Sequence, residues 1–351
     1  MSDQSASKAG GSTRKRGGAR PYLLVGLALI VLIVLIGVQT GFAGYGLAHL
    51  RSATFPRDEA LLEYLPATEG GVLILDPHQV ELKALGAEGG AARTYVERTR
   101  ADIKKATGID IVFDVDKMAL TPSLVVARGR FNHATLKERL AEHRYAEADH
   151  KGTKVLVRAG EDAIAVVGGS FLLYGEEAAI RAGIDAEAGG TSLAERGEVT
   201  ERLAAGGWDH PILGTVQLID SKPSLRAILT GFTGPRAVTV GVSMKGGMAI
   251  RAAIEAASPS AAEELRKLLQ QKQADADALK GLAGPDVGPA IADLVKRATI
   301  TAKSDSSQLA VHVDVSPEEL EKLVQATEKA TSGDGELYKN IRLFQLLTPG
   351  L

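Results

Sequence analysis

Two hydrophobic patterns dominate the chain. The first is an unbroken apolar run: residues 21–50 contain no Asp, Glu, Lys or Arg, and residues 23–38 are almost all Leu, Val, Ile, Ala and Gly. About 20 apolar residues, each rising about 1.5 Å, cross the hydrocarbon layer of a bilayer. A soluble core helix seldom stays apolar on every face for so long. The run therefore predicts a transmembrane helix, with Tyr22 at one boundary and Phe42 and Tyr45 at the other, where aromatic rings favour the interface. The second pattern is strict alternation. Val238, Val240, Val242 and Met244 alternate with small or polar residues, and Met248, Ile250, Ala252 and Ile254 follow in the same rhythm. A two-residue turn at Gly246-Gly247 would set the apolar sides of these strands in opposition. A three-residue loop over residues 245–247 pairs Met244 with Met248 and keeps one apolar face, so that loop is predicted.

Shorter signals fill the rest. Strands are predicted at residues 71–75, 124–127, 154–158, 163–167 and 171–174, separated by Gly, Asp or charged pairs as in an antiparallel meander. Helices are predicted at residues 59–64, at 95–107 stopped by Gly108, at 133–143 with Leu136 and Leu140 on one side, at 176–186 and at 193–205. Ser258 caps a long helix that has Pro259 in first position and Leu265, Leu268 and Leu269 as its buried stripe. A further helix spans residues 289–297, and residues 299–302 and 309–315 pair as a hairpin. Ser316-Pro317-Glu318-Glu319 is a capping box that opens a helix reaching about residue 330. Residues 72–85 (VLILDPHQVELKAL) resemble residues 216–228 (VQLIDSKPSLRAI) after a one-residue gap. The expected architecture is α+β: one N-terminal transmembrane helix plus two related lobes of antiparallel sheet covered by helices. Its parts are a basic tail (1–20), the membrane segment (21–50), a connector (51–57) and the lobes at 58–205 and 206–351.

Charge sets the orientation. Of the 351 residues, the first twenty carry Lys8, Arg14, Lys15, Arg16 and Arg20 against Asp3, a balance of +4. The whole chain is −2, so the remainder is −6. Basic residues ahead of the apolar run place the tail in the cytoplasm and residues 51–351 outside. A cleaved signal peptide, with small residues at Gly41 and Ala43 or at Gly46 and Ala48, is the competing reading and exports the same region. Gly37, Gly41, Gly44 and Ala48 would form one small-residue stripe on the membrane helix, and Gly37 with Gly41 is a GxxxG pair, so self-association through that stripe is expected. The acidic remainder has no basic footprint for nucleic acid.

Candidate chemistry is sparse. The chain has no cysteine, which closes thiolate catalysis, disulfides and thiolate zinc sites together. His133, His143 and His150 fall within 18 residues, but the first two are ten apart on one predicted helix, about 15 Å along its axis, and cannot share a metal. They are expected to face solvent, as is His312 on the outer side of its strand. Asp110, Asp114 and Asp116 lack the calcium-loop pattern and read as turn and cap residues. Gly168-Gly169-Ser170 lacks the nucleophile elbow, and no phosphate loop or dinucleotide fingerprint is present. Trp208, the only tryptophan, reads as a packing residue between lobes. No catalytic residue, cofactor or metal is assigned.

The succession LPATEGGVLILD, TGIDIVFDVDKMAL, LVVARGRFNHATLKERL and LLYGEEAAIRAGID is similar to a loose group of membrane-anchored bacterial envelope proteins of undefined activity. The resemblance covers residues 60–190 best. It implies an extracytoplasmic domain on the bacterial inner membrane and supplies no mechanism. The expected role is non-catalytic binding or scaffolding in the envelope, with the bilayer and an envelope protein as partners. An envelope hydrolase with a site assembled from distant residues, or a protein binding hydrophobic ligands between sheet and helices, are the alternatives.

Overall fold

The structure, a computed structural model, describes residues 59–80, 90–218, 235–244, 247–278, 284–302 and 305–332. The membrane segment and its Gly37, Gly41, Gly44 and Ala48 stripe lie outside the described residues. Among those described, no helix is long and apolar enough to cross a membrane.

The elements run α1 (Glu59–Glu63), β1 (Gly71–Leu75), α2 (Ala91–Thr107), α3 (Ile111–Asp114), β2 (Val115–Leu120), β3 (Leu124–Gly129), α4 (His133–Ala141), β4 (Ala146–His150), β5 (Thr153–Val157), β6 (Ala163–Val167) and β7 (Phe171–Gly175). They continue with α5 (Glu177–Glu187), a 3-10 turn at Leu193–Glu195, α6 (Gly197–Gly206), β8 (Ile212–Gln217), β9 (Pro235–Ser243), β10 (Met248–Ala256) and α7 (Pro259–Ala274). After a 3-10 turn at Ala276–Ala278 come α8 (Gly284–Arg297), β11 (Thr299–Ala302), β12 (Gln308–Val315) and α9 (Pro317–Ser332). The α+β class expected from the alternation is the class observed.

The strands form one antiparallel sheet in the order β11-β12-β10-β9-β8-β1-β2-β3-β7-β6-β5-β4. The two expected lobes share it: β8 pairs β9 on one side and β1 on the other, so the sheet runs unbroken past the expected boundary at residue 205. The sequence match between the halves is out of step with this pairing. Val72 lies opposite Thr215, which puts Val216 on the other side of the sheet from Val72.

The first face of the sheet carries Val72, Ile74, Leu213, Ala119, Val126 and Leu173, all buried. α1, α5 and α6 cover it with Leu61, Leu62, Ile180, Ile184, Val199 and Leu203, and Trp208 closes the same core. Tyr64, tilted against Phe171 at 4.8 Å, belongs here too. Burial, with Glu187 and Glu63 nearby, pushes its hydroxyl up to about 12.

Local rules explain most boundaries. Gly108 ends α2 in the left-handed conformation at φ 78°, its N–H donating to the Lys104 carbonyl. Asn132 Oδ1 accepts from Thr135 N, and Ser258 Oγ from Ala261 N, as N-caps of α4 and α7. At the head of α9, Ser316 N donates to Glu319 Oε2 at 2.8 Å while Glu319 N donates to Ser316 Oγ at 3.2 Å, the reciprocal pair expected of the capping box. In the hairpin, Ala249 pairs Ser243 and Ile250 pairs Val242, a register compatible with the expected three-residue loop, whose residues 245 and 246 lie outside the described residues. α8 differs from expectation: it begins at Gly284 and holds Pro289 inside, where the missing N–H removes one helical hydrogen bond.

Candidate functional site: an aliphatic sheet face

The second face of the sheet holds the unusual chemistry. Its paired positions from β3 across β2, β1, β8 and β9 to β10 are aliphatic, methionine or glycine: Val125, Leu120, Leu73, Gly214, Val240 and Ala252 form one row. The rows beside it hold Met118, Leu75, Ile212, Val242 and Ile250 on one flank and Val216, Val238 and Ile254 on the other. Most of these side chains are only half-buried, whereas most of their first-face neighbours from β3 to β9 are buried. This reverses the usual economy of an antiparallel sheet, in which the less covered face is polar.

Among the described residues, helices pack on the two ends of this face. At one end Leu136 and Leu140 of α4 pack on Leu156 and Ile164 of β5 and β6. At the other, Leu320 of α9 packs with Val242, Met244 and Ile250. α2 links these ends. Its main contacts are with α9, α4 and α3, none of them a strand. Its 17 residues make about 25 Å of helix. The five strand intervals from β7 to β9 span about 24 Å. None of its described side chains is buried. α2 thus joins the helices that pack at the two ends of this face.

Both ends of α2 meet charged partners. At its start, a Cβ on Gly90 would fall 2.6 Å from Glu321 Oε2 of α9, so that carboxylate sits against the helix N-terminus, where negative charge is favoured. At its end, Arg100 donates twice to Asp110, Nε to Oδ1 and Nη2 to Oδ2, both at 2.9 Å, and Lys104 Nζ donates at 3.0 Å. Burial alone would raise the Asp110 carboxyl, but these cationic donors outweigh it and hold the group below its ordinary 3.8. Asp110 also caps α3 through Val112 N, and its own N–H donates to Asp114 Oδ2. The turn and cap roles expected of Asp110 and Asp114 are thus observed. Asp116 instead occupies a β-bulge, between the pairs Val115–Gly129 and Lys117–Arg128, and is buried 3.7 Å from Arg128 Nε.

The remaining polar groups are structural in geometry. Lys117, 1% exposed, donates to the Trp208 carbonyl at 3.1 Å. His133 bonds Glu147 at 3.2 Å, and His312 bonds Asp314 at 3.1 Å. His150 Nε2 lies 2.8 Å from Asp185 Oδ1 and its Nδ1 3.0 Å from Arg181 Nη1. Because guanidinium only donates, Nδ1 accepts and Nε2–H donates to Asp185. His133 and His150 were expected to face solvent; both are half-buried because carboxylates on neighbouring elements draw them in. His143 is exposed. Tyr145 and Tyr174 both donate to Asp162, at 2.7 and 2.9 Å, and Arg158 Nε adds a third bond. Burial and then the Asp162 contact raise the Tyr145 hydroxyl. Ser123 donates to Glu69, with no histidine in that pair. Gly168 and Gly169 form the turn between β6 and β7 at φ 58° and 70°. Among the described residues, no three His, Asp or Glu side chains gather as a metal site would require.

Sequence reasoning placed the alternating strands β9 and β10 but missed that the apolar side of β9 is the less covered one. The clue was present: the opposite side of β9 is Ala237, Thr239 and Gly241, small enough for α6 to approach closely. A Cβ on Gly206 of α6 would fall 2.9 Å from Thr239 Cγ2. No family model matches the chain, and no curated protein matches it. It is similar to a solved structure, crystal form I of TP0453, at 11% identity and a TM-score of 0.43, over 76% of this chain and 96% of that one.

Proposed function

We propose that this chain is a non-catalytic binding protein of the bacterial cell envelope, anchored in the inner membrane through residues 21–50, with its α+β region outside. We further propose that it takes an apolar ligand between α2 and the second face of the sheet. One observation supports the ligand class: the sheet carries a continuous, half-buried aliphatic face, and α2 joins the helices that pack at its two ends. Apolar surface left wet costs about 25 cal/mol per Å2, and an apolar guest on this face would recover that energy. The anchor rests on the uncharged run and the basic tail. The sheet orders β1-β2-β3-β7-β6 and β8-β9-β10-β12-β11 match position for position, which supports reading the two halves as related units.

The test is a titration of the full chain, held in lipid nanodiscs, with a fluorescent long-chain fatty acid. The reading expects saturable binding that Leu73→Trp and Val240→Trp each weaken tenfold or more, with unchanged circular dichroism. Signal that rises linearly with lipid and ignores both substitutions would refute it.

A further inference from the structure

The sheet has two edges of opposite character. β4 is the first edge strand, and its sequence, Ala-Glu-Ala-Asp-His, sets Glu147 and Asp149 on the outside. A second copy pairing there would bring carboxylates against carboxylates, the device by which sheets discourage edge pairing. β11 is the other edge, Thr-Ile-Thr-Ala, without a charge. Its pairing is with β12, and among the described residues its outer side has no strand neighbour. The two halves differ at this point. β6 occupies in the first half the place of β11 in the second, and β6 is covered on its outer side by β5. In the second half the chain between the crossover helix and the returning strands forms α8 instead of a hairpin such as β4–β5, and α8 packs on α9 and β12. The outer side of β11 is thus a position that the first half fills with an antiparallel strand.

We propose that the occupant is β11 of a second copy, paired antiparallel about a twofold axis at Ile300 or Thr301. Such pairing is isologous and closes at two copies. Within the strand it sets Thr against Thr on one face and apolar residues together on the other, with no charged residue in either copy. A four-residue edge supplies few hydrogen bonds, so in dilute solution the pair is weak. Copies held in one membrane by residues 21–50 meet at a raised effective concentration, which favours it.

The absence of cysteine gives a clean background for trapping. Opposed antiparallel residues have Cα atoms about 4.5–5.5 Å apart, within the range a disulfide spans. The full chain carrying Ile300→Cys, Thr301→Cys or Asp149→Cys is placed in nanodiscs and mildly oxidised. The proposal expects a covalent dimer from Ile300→Cys or Thr301→Cys and none from Asp149→Cys. In mass measurements without oxidation it expects a dimer that Thr301→Pro abolishes and Gly41→Leu leaves in place. A monomer throughout, or a dimer lost with Gly41→Leu and indifferent to Thr301→Pro, overturns it. Circular dichroism of Thr301→Pro separates loss of pairing from loss of fold, and a folded Thr301→Ala variant that still dimerises shows that the backbone edge is what pairs.

Discussion

Asp110 shows how much one side chain can hold. Its carboxylate, 5% exposed, receives Arg100 and Lys104 from the last turns of α2 and caps α3. Asp110→Asn is expected to destabilise the fold by about 2 kcal/mol, the scale of charge-assisted hydrogen bonds, measured by urea denaturation. The sign of the pH effect follows from the lowered carboxyl. The native form holds the proton less tightly than the unfolded chain, so its contribution is complete above the ordinary 3.8 and falls away as pH drops through the lower native value. The variant should therefore lose less stability than the parent on acidification below about pH 4. An equal acid loss in both would contradict the assignment. Trp208, 7% exposed in the first-face core, gives a second expectation: Trp208→Ala should cost about 3–5 kcal/mol. The local half of Asp110's role, a cap, was legible in the sequence. The other half was not, because Arg100 reaches it from ten residues away across a helix end.

At the scale of elements, legibility followed the strength of local codes. Ser258 before Pro259, the Ser316 box and Gly108 each specify a boundary through a few neighbouring atoms, and each boundary is where the code puts it. Ser258→Ala is expected to cost about 1 kcal/mol. Gly108→Val should cost more than Gly108→Ala, since φ 78° is strained for any side chain and worse for a branched one. Thermal unfolding midpoints would order the three. β4 was not legible: Ala-Glu-Ala-Asp-His carries no apolar rhythm, and its strand state comes from pairing with β5, including Glu147 opposite Leu156. β8 was read only through its end at Val216, because the pairing that extends it from Ile212 to Gln217 is made with residues far away in sequence.

For the whole molecule, the alternation of signals was enough to give the α+β class but not the joining of its halves. The junction is the pairing of β1 with β8, which are separated by most of the first half and share no local code. Arg202 of α6 adds a second tie, donating to Glu255 on β10 at 2.9 Å. A shared sheet implies one cooperative unit. Trp208 fluorescence and far-ultraviolet circular dichroism should report the same urea transition, and separated midpoints would show two independent lobes. Orientation is testable by a reporter fused after Leu351, which should be active only if it functions outside the cytoplasm.

The central claim, that an apolar ligand lies between α2 and the aliphatic face, is most directly tested by photolabelling. The full chain in nanodiscs is irradiated with a fatty acid bearing a diazirine on its acyl chain, and labelled peptides are mapped by mass spectrometry. The account predicts adducts on residues 71–75, 118–125, 212–216 and 238–254, suppressed by excess unlabelled fatty acid. Adducts confined to residues 21–50, or spread over the surface without competition, would contradict it.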